Sequence, residues 1–180
     1  MESLNQIEAG WLLWMQENIR IDVLDWIMPW VSEANNSGLL ACLVVVLMLL
    51  WKRTRGTGAV AFFSLGLEFL IVNIWLKPTV MRTRPYVVNE ALRLLGDYPS
   101  DYSFPSGHTG CAFAVAFVCL WCLPRKYGVT AIVAAALIAF SRLYNAAHYP
   151  TDVLAAILIA LITALVAKYT VGRWTLKKEK

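Results

Sequence analysis

The segment that decides the fold lies near the C-terminus, where residues 150–171 read PTDVLAAILIALITALVAKYTV. Every residue from Val153 to Ala167 is uncharged. A helix needs about 20 predominantly apolar residues to cross the hydrocarbon core of a bilayer. The segment therefore predicts a membrane-spanning helix, which Pro150 and Thr151 separate from the apolar run before it.

Four other apolar runs have the same character. Pro78 is expected to close the second run, Pro105 and Ser106 are expected to open the third, and Pro124 is expected to close it. The sequence thus predicts an all-α fold, a polytopic membrane helix bundle with five to six transmembrane helices. The five predicted spans cover residues 38–53, 57–77, 107–123, 127–147 and 152–171.

The composition also favours a membrane protein. Of the 180 residues, 59% are hydrophobic and 16% are charged, whereas soluble domains average about 45–50% and about 25%. These values exclude a disordered chain and argue against an ordinary soluble domain. The net charge of +4 is interpreted as a topology signal, so no nucleic-acid partner is expected. No pattern in the sequence indicates an oligomeric state.

Residues 1–36 differ from the rest of the chain. Ile7, Trp11 and Trp14 fall at helical spacing, but charged residues interrupt every stretch that is long enough to span a membrane. This pattern predicts an amphipathic segment that lies in the membrane interface, with a sixth span as the alternative. Residues 37–180 are then expected to form the transmembrane domain.

The distribution of charge predicts the topology. Ten of the 16 basic residues flank one membrane face, including those of the tail at 172–180, whereas ten of the 12 acidic residues lie at the other face. Cytoplasmic loops are enriched in lysine and arginine, so the first face is expected to be cytoplasmic. The long loop at 78–106 and the turn at 148–152 would then face the extracytoplasmic side of the plasma or inner membrane.

Six ionisable residues lie at the outward-facing ends of the predicted spans. Ionisable residues at membrane depth are costly and usually serve a function. Three of the six are cations, and together they suit an anion that carries more than one charge. The six residues are Lys77, Arg84, His108, Arg142, His148 and Asp152.

Ser106 and Gly107 add a second anion-binding feature. They open a predicted helix, whose free backbone N–H groups and positive dipole end suit an anion. Two histidines, with a usual pKa of about 6.5, can divide the roles of nucleophile and acid near neutral pH. Asp152 follows His148 by four residues and can hold one nitrogen of its ring. The residues alone do not decide whether His108 or His148 attacks.

Three pieces of the sequence resemble the signature of the type 2 phosphatidic acid phosphatase superfamily, which also includes vanadium haloperoxidases. Residues 77–85 read KPTVMRTRP, which is a lysine, six residues and Arg-Pro. Residues 105–108 read PSGH. Residues 141–152 read SRLYNAAHYPTD, which is Ser-Arg, five residues, a histidine, three residues and an aspartate.

The resemblance implies a role for each motif residue. His148 would attack phosphorus and form a phosphohistidine intermediate, and Asp152 would orient and activate His148. His108 would protonate the leaving oxygen and then help to activate water. The resemblance implies no metal, and no other cofactor is expected. The phosphoryl oxygens would be held by Lys77, Arg84, Ser106, Gly107 and Arg142.

The resemblance also implies an integral membrane lipid phosphatase, whose substrate carries its phosphate at the outer interface and its tail in the bilayer. Small bacterial members of the family include undecaprenyl diphosphate phosphatases, which fit an outward-facing site best, so undecaprenyl diphosphate is the expected substrate. Phosphatidic acid and phosphatidylglycerol phosphate are alternative substrates. A lipid phosphotransferase and, among non-enzymes, a membrane transporter are alternative functions.

Four residues that are not fixed positions of the motifs carry separate expectations. Arg82 is expected to contact headgroups or solvent. Tyr144 and Tyr149 are expected to anchor in the aromatic belt of the membrane, with lining of the lipid entrance as the alternative. Glu68 lies nine residues before Lys77, so at about 100° per residue it should point away from that lysine. It is expected to pair with a polar group on a neighbouring helix or on the N-terminal segment.

Overall fold

The structure, a computed structural model, describes residues 2–175. Regular structure in this part of the chain is helical throughout, with a 3₁₀ turn at Asn36–Gly38 and a π-helical segment at Leu70–Leu76. The α-helices are α1 (Glu2–Asn18), α2 (Asp22–Glu33), α3 (Leu39–Leu50), α4 (Arg55–Phe69), α5 (Lys77–Val80), α6 (Pro85–Val88), α7 (Gly107–Cys122), α8 (Arg125–Tyr144), α9 (Pro150–Thr170) and α10 (Gly172–Thr175).

Four helical stretches within residues 2–175 are long and apolar enough to cross a membrane, and α7 is a shorter apolar helix. The prediction of an all-α, polytopic membrane fold is therefore confirmed. The first candidate span combines α2 and α3, and the second runs from α4 to α6. The four stretches are Asp22–Leu50, Arg55–Val88, Arg125–Tyr144 and Pro150–Thr175.

Helix α7 forms the centre of the bundle. It packs against α3, α4, α8 and α9, and ten of its 16 residues are buried. Small residues such as Gly110, Ala112 and Ala114 allow the neighbouring helices to approach closely. The surrounding helices direct large apolar side chains outward, and Phe62 and Leu158 are 64% and 57% exposed. The central helix is thus packed by protein, while the outer ring presents apolar surface suited to lipid.

The second predicted span does not end at Pro78, which corrects the prediction from the sequence. Helical structure continues through Pro78 to Val80, and Met81 then ends it with a left-handed backbone conformation. Just before the proline, residues Leu70–Leu76 form a π-helix. A proline has no N–H to donate, and a π-helical turn changes the hydrogen-bond register from i→i+4 to i→i+5. The proline is therefore accommodated in the first turn of α5 instead of ending the helix.

The N-terminal segment packs on the end of the bundle that holds the motif residues. Helix α1 packs against α6 and α8, and α2 packs against α8. Ala9 and Leu12 of α1 are buried in a cluster with Tyr149, whereas Trp11 and Trp14 are exposed.

Tyr144 and Tyr149 do not anchor in an aromatic belt, so that prediction is wrong. They are 1% and 0% exposed. The hydroxyl of Tyr144 donates to Asp25 Oδ1 at 2.7 Å. The ring of Tyr149 lies 3.9 Å from the guanidinium carbon of Arg82. The two N-terminal helices cover both tyrosines, and no residue spacing around the tyrosines could reveal this packing.

Candidate active site

One cavity of about 760 Å³ gathers most of the predicted site residues at one end of the bundle. Ser106 and Asp152 are fully buried behind it, each with 0% exposure. Away from the charged residues, the cavity continues along apolar side chains of α3 and α4, including Val45, Phe62 and Leu65. The predicted site residues that line it are Lys77, Arg84, Gly107, His108, Arg142 and His148.

The start of α7 provides one wall of the cavity. Ser106 caps the helix, because its Oγ accepts from the backbone N–H of Thr109 at 3.4 Å. A β-carbon at position 107 would lie 3.2 Å from Asn73 Oδ1 and 3.6 Å from Lys77 Nζ. The absence of a side chain at Gly107 therefore preserves the space between the helix start and the lysine.

Arg84 is held in place from several directions. Its Nη1 donates to the carbonyl oxygen of Ala147 at 2.7 Å and lies 3.4 Å from His148 Nε2. Its Nε donates to the carbonyl oxygen of Asp101 at 2.9 Å. These bonds fix a guanidinium group beside the one ring nitrogen of His148 that faces the cavity.

Asp101 is a member of the site that the sequence did not single out. Its carboxylate accepts from Arg84 Nη2 at 2.6 Å and also pairs with Lys77. Burial alone would raise the pKa of Asp101, but the hydrogen bonds and charges of Lys77 and Arg84 outweigh burial and lower the pKa to about 2. The only sequence signal was an acidic residue just ahead of the PSGH motif.

His148 is oriented mainly by a backbone carbonyl. Its Nδ1 donates to the carbonyl oxygen of Ser103 at 2.8 Å, whereas Asp152 Oδ2 lies 3.5 Å from the same nitrogen. A proton on Nδ1 leaves Nε2 free to act as a base or nucleophile. Burial, followed by the positive charges of Arg84, Arg142 and Lys77, lowers the pKa of His148 well below its usual 6.5.

Asp152 is fully buried and accepts hydrogen bonds from several donors. Oδ1 accepts from Arg82 Nη1 at 2.5 Å. Oδ2 accepts from the hydroxyl of Ser103 at 2.5 Å and from the backbone N–H of Tyr149 at 3.0 Å. Ser103 therefore contacts both Asp152, through its hydroxyl, and His148, through its carbonyl. The sequence did not identify Ser103.

Arg82 lies in the interior, which corrects the expectation of headgroup or solvent contact. It is 6% exposed and pairs with both Glu8 and Asp152 at 2.5 Å. Its neighbours Met81 and Arg84 have left-handed and extended backbone conformations. An irregular segment of this kind has no period from which the direction of a side chain can be predicted.

Arg142 enters the cavity from the last turn of α8. It is 7% exposed, and its Nη1 donates to the hydroxyl of Ser32 on α2. The N-terminal segment therefore contacts the site through Ser32 at Arg142 and through Glu8 at Arg82. It also contacts the site through Asn35, whose side-chain amide donates to the carbonyl oxygen of His108 at 2.9 Å.

Glu68 lines the same cavity as Lys77, so the expectation that it points away from the lysine is wrong. The π-helical segment between the two residues turns less per residue than an α-helix, which changes their relative direction. The expected polar partner is also absent, because neither carboxyl oxygen has a hydrogen-bond partner within residues 2–175. A β-carbon at position 110 would lie only 1.9 Å from Glu68 Oε1, so Gly110 makes room for the carboxyl.

The residues at the site are not arranged as a metal centre. Within residues 2–175, no group of three or more histidine, cysteine, aspartate or glutamate residues is placed to hold a metal ion.

A helical membrane fold with two histidines and three cations around one cavity defines the class. The molecule is a polytopic membrane protein with a cationic site at one end of its bundle. Residues 57–176 match the model of the PAP2 superfamily, and the chain belongs to that superfamily. The resemblance carried by the three motifs is thereby confirmed.

Two proteins with similar sequences are both undecaprenyl-diphosphatases by name. The chain is 29% identical over 143 residues to undecaprenyl-diphosphatase BcrC of Bacillus subtilis, covering 78% of this chain and 71% of that protein. It is 32% identical over 112 residues to an undecaprenyl-diphosphatase of Sulfolobus acidocaldarius, covering 62% of this chain but only 54% of that protein. The chain thus spans little more than half the length of the archaeal relative.

A solved structure shares the architecture. The crystal structure of Aquifex aeolicus LpxE superposes with a TM-score of 0.77 at 25% sequence identity, covering 88% of this chain and 93% of that chain. The helix bundle therefore follows an arrangement that LpxE also adopts.

Proposed function

We propose that this chain is a lipid phosphatase that hydrolyses undecaprenyl diphosphate to undecaprenyl phosphate through a phosphohistidine intermediate. One observation carries the proposal: a single cavity joins three cations and two histidines at one end to an apolar wall at the other. The names of the two sequence relatives support the choice of substrate.

Binding is assigned to the cations. Lys77, Arg84 and Arg142 hold the oxygens of the terminal phosphoryl group, together with the backbone N–H groups at Gly107. Phosphoryl transfer depends mostly on such positioning and charge neutralisation. The hydroxyl of Ser106 contributes indirectly, because it caps the helix that presents those N–H groups.

In the first chemical step, Nε2 of His148 attacks the terminal phosphorus. A P–N bond forms while the bond between that phosphorus and the bridging oxygen breaks, and the electron pair leaves with undecaprenyl phosphate. The negative charge of the bound diphosphate favours a proton on His108, taken up from solvent on binding, and His108 donates this proton to the leaving oxygen. The low pKa of His148 keeps the attacking nitrogen unprotonated near neutral pH.

In the second step, water attacks the phosphohistidine. His108, now lacking its proton, accepts one from the water as the P–N bond breaks, and inorganic phosphate leaves. His148 returns to its neutral form with the proton still on Nδ1, where the carbonyl of Ser103 accepts it at 2.8 Å. No step requires a metal ion, so the proposed activity is independent of divalent cations.

The apolar part of the cavity is assigned to the lipid tail. Val45, Phe62 and Leu65 line it on α3 and α4, and an isoprenoid or acyl chain would be stabilised there by leaving water. The asymmetry of basic residues supports a location in the plasma or inner membrane with the site on the extracytoplasmic side. Residues 1–36 would then lie at the outer interface, ahead of the transmembrane domain of residues 37–180.

The test is a comparison of substrates with purified protein in detergent and chelator present. Undecaprenyl diphosphate is expected to release phosphate fastest, ahead of phosphatidic acid, phosphatidylglycerol phosphate and a water-soluble phosphate ester. Release without an added lipid acceptor argues against a phosphotransferase, and turnover in detergent, which has no two compartments, argues against a transporter. Failure to hydrolyse any of the lipids would overturn the proposed phosphatase activity. Loss of activity with chelator would overturn its independence of divalent cations.

A further inference from the structure

A buried charge cluster lies on the Nδ1 side of His148, away from the cavity. At its centre, Arg82 donates to Asp152 Oδ1 at 2.5 Å, to Thr151 Oγ1 at 2.7 Å and to Glu8 Oε2 at 2.5 Å. Its Nε donates to Asn5 Oδ1 at 2.9 Å. Arg82, Glu8 and Asp152 are at most 6% exposed, and none of the three lines the cavity.

Glu8 also binds the start of α9 directly. Its Oε1 accepts from the backbone N–H of Thr151 at 2.8 Å, and its Oε2 accepts from the hydroxyl of Thr151 at 2.8 Å. A carboxylate at a helix N-terminus satisfies a free N–H group and interacts favourably with the helix dipole. Glu8 therefore fixes the residue next to Asp152 as well as the arginine that contacts Asp152.

The cluster contains two carboxylates and one guanidinium group. Because Arg82 is shared, neither carboxylate is fully neutralised, and Asp152 keeps negative charge near His148 Nδ1, 3.5 Å away. That charge matters most when the imidazole becomes cationic on phosphorylation. Without Glu8, Arg82 would pair with Asp152 alone and would neutralise more of its charge. Less negative charge would then remain on Asp152 to stabilise the phosphorylated ring of His148.

We propose that Glu8 and Arg82 are positioning residues that set the geometry and charge of Asp152, so that α1 is part of the catalytic apparatus. The family model matches residues 57–176, and Glu8 lies outside that range. Helix α1 lies outside the range that the family model matches. It supports the site through the contact between Glu8 and Arg82, which are 74 residues apart in sequence. This inference rests on the proposed phosphatase activity.

The first test is Glu8→Gln, which keeps the size of the side chain and removes its charge. We expect kcat to fall roughly tenfold with KM and inhibition by vanadate unchanged, because Glu8 does not touch the cavity. Glu8→Asp keeps the charge and should retain most of the activity. Glu17→Gln is the matched control, because Glu17 is an exposed residue of the same helix.

The second test separates positioning from simple loss of folding. Arg82→Gln leaves two buried carboxylates without their shared cation, and we expect kcat to fall at least 100-fold, with partial recovery in Arg82→Lys. Adding Glu8→Gln to Arg82→Gln removes one of the two unpaired charges, so the double variant should be more active than Arg82→Gln alone. Retained vanadate binding shows in each case that the cavity is intact.

Several outcomes would overturn the inference. The first is an unchanged kcat in Glu8→Gln. The second is a loss of vanadate affinity in Glu8→Gln as large as its loss of kcat. The third is a double variant that is no more active than Arg82→Gln. Should Glu8→Gln not fold, Asn5→Ala at the edge of the cluster is expected to lower kcat about threefold, and an unchanged kcat there would overturn the inference too. A wild-type protein with no lipid phosphatase activity would overturn the proposed function and this inference together, whereas the other outcomes overturn the inference alone.

Discussion

Arg82 and Arg84 are separated by one residue, yet they belong to opposite kinds of charge network. Arg84 faces the cavity beside His148 Nε2, and its carboxylate partner Asp101 is 48% exposed. Arg82 is connected to His148 Nδ1 through Asp152, and the side chains of its partners Glu8 and Asp152 are only 8% and 0% exposed. Two guanidinium groups of the segment 77–85 thus lie on opposite sides of the same imidazole, Arg84 beside Nε2 and Arg82 on the Nδ1 side behind Asp152.

The difference in exposure implies a difference in role. The carboxylate of Asp101 is half-exposed, so water can solvate it when it separates from Arg84, and Arg84 can exchange Asp101 for the oxygens of a phosphoryl group. A buried pair is costly to separate because each charge would be left without a partner. Arg84 is therefore suited to bind a ligand that arrives and leaves, and Arg82 is suited to hold a permanent arrangement.

The largest expected effect is on the imidazole that both networks serve. His148→Ala removes the proposed nucleophile, and we expect phosphate release to fall about 10⁴-fold or more. Binding of vanadate and the melting temperature should change much less, because the cations and the bundle remain. Substantial phosphate release from a folded His148→Ala protein would contradict the assignment of the nucleophile.

The next effect distinguishes the two arginines. Arg84→Lys keeps the charge but loses the planar fork that reaches Asp101 and His148, so we expect kcat/KM to fall roughly 100-fold. Vanadate should also inhibit less strongly, whereas its inhibition of the Arg82 variants is expected to stay unchanged. Measurement of kcat/KM and of the vanadate inhibition constant for both arginines would show whether their roles differ. Equal vanadate inhibition in Arg82→Lys and Arg84→Lys would remove the basis for the comparison.

A smaller effect concerns the exchangeable partner of Arg84. Asp101→Asn removes a carboxylate that competes with anions for Lys77 and Arg84, and we expect inorganic phosphate and vanadate to inhibit three- to tenfold more strongly. Asp97→Asn, an exposed change in the same loop, is the control. Weaker inhibition in Asp101→Asn would show that Asp101 supports the cations instead of competing for them.

The pH dependence of the pair between Asp101 and Arg84 follows from the direction in which the pKa of Asp101 is shifted. The pKa of Asp101 is lowered from 3.8 to about 2, so its contribution to stability is fully present above about pH 4 and is lost as the pH falls towards 2. The difference between wild type and Asp101→Asn should consequently be constant from pH 5 to 8. A difference that changes across this range in titrations of vanadate inhibition would contradict the lowered pKa.

The smallest effect concerns the ring beneath Arg82. The guanidinium carbon lies 3.9 Å from the ring of Tyr149, whose hydroxyl has no hydrogen-bond partner within residues 2–175. Tyr149→Phe should therefore leave kcat within about twofold of wild type, whereas Tyr149→Leu should lower it about three- to fivefold by removing the cation–π contact. A larger loss in Tyr149→Phe than in Tyr149→Leu would assign the role to the hydroxyl instead.

Much of the bundle was predictable because its signals are local. The run predicted at 107–123 corresponds to α7 at Gly107–Cys122, and the run predicted at 152–171 corresponds to α9 at Pro150–Thr170, within two residues at each end. Long apolar stretches and terminal prolines specify such helices without reference to the rest of the chain. The end of the second run was wrongly predicted at Pro78. A π-helical segment before the proline changes the hydrogen-bond register, so the proline does not end the helix.

The sequence by itself determined that this chain is a membrane helix bundle and that its histidines and cations meet at one end, because periodicity and motif spacing are local properties of the chain. Only the tertiary structure decided that Asp101 pairs with the cavity cations, that Ser103 orients His148, and that Glu8 reaches Arg82. Those contacts join residues from 17 to 74 positions apart. Packing of whole helices brings such residues together, and no short-range pattern records it.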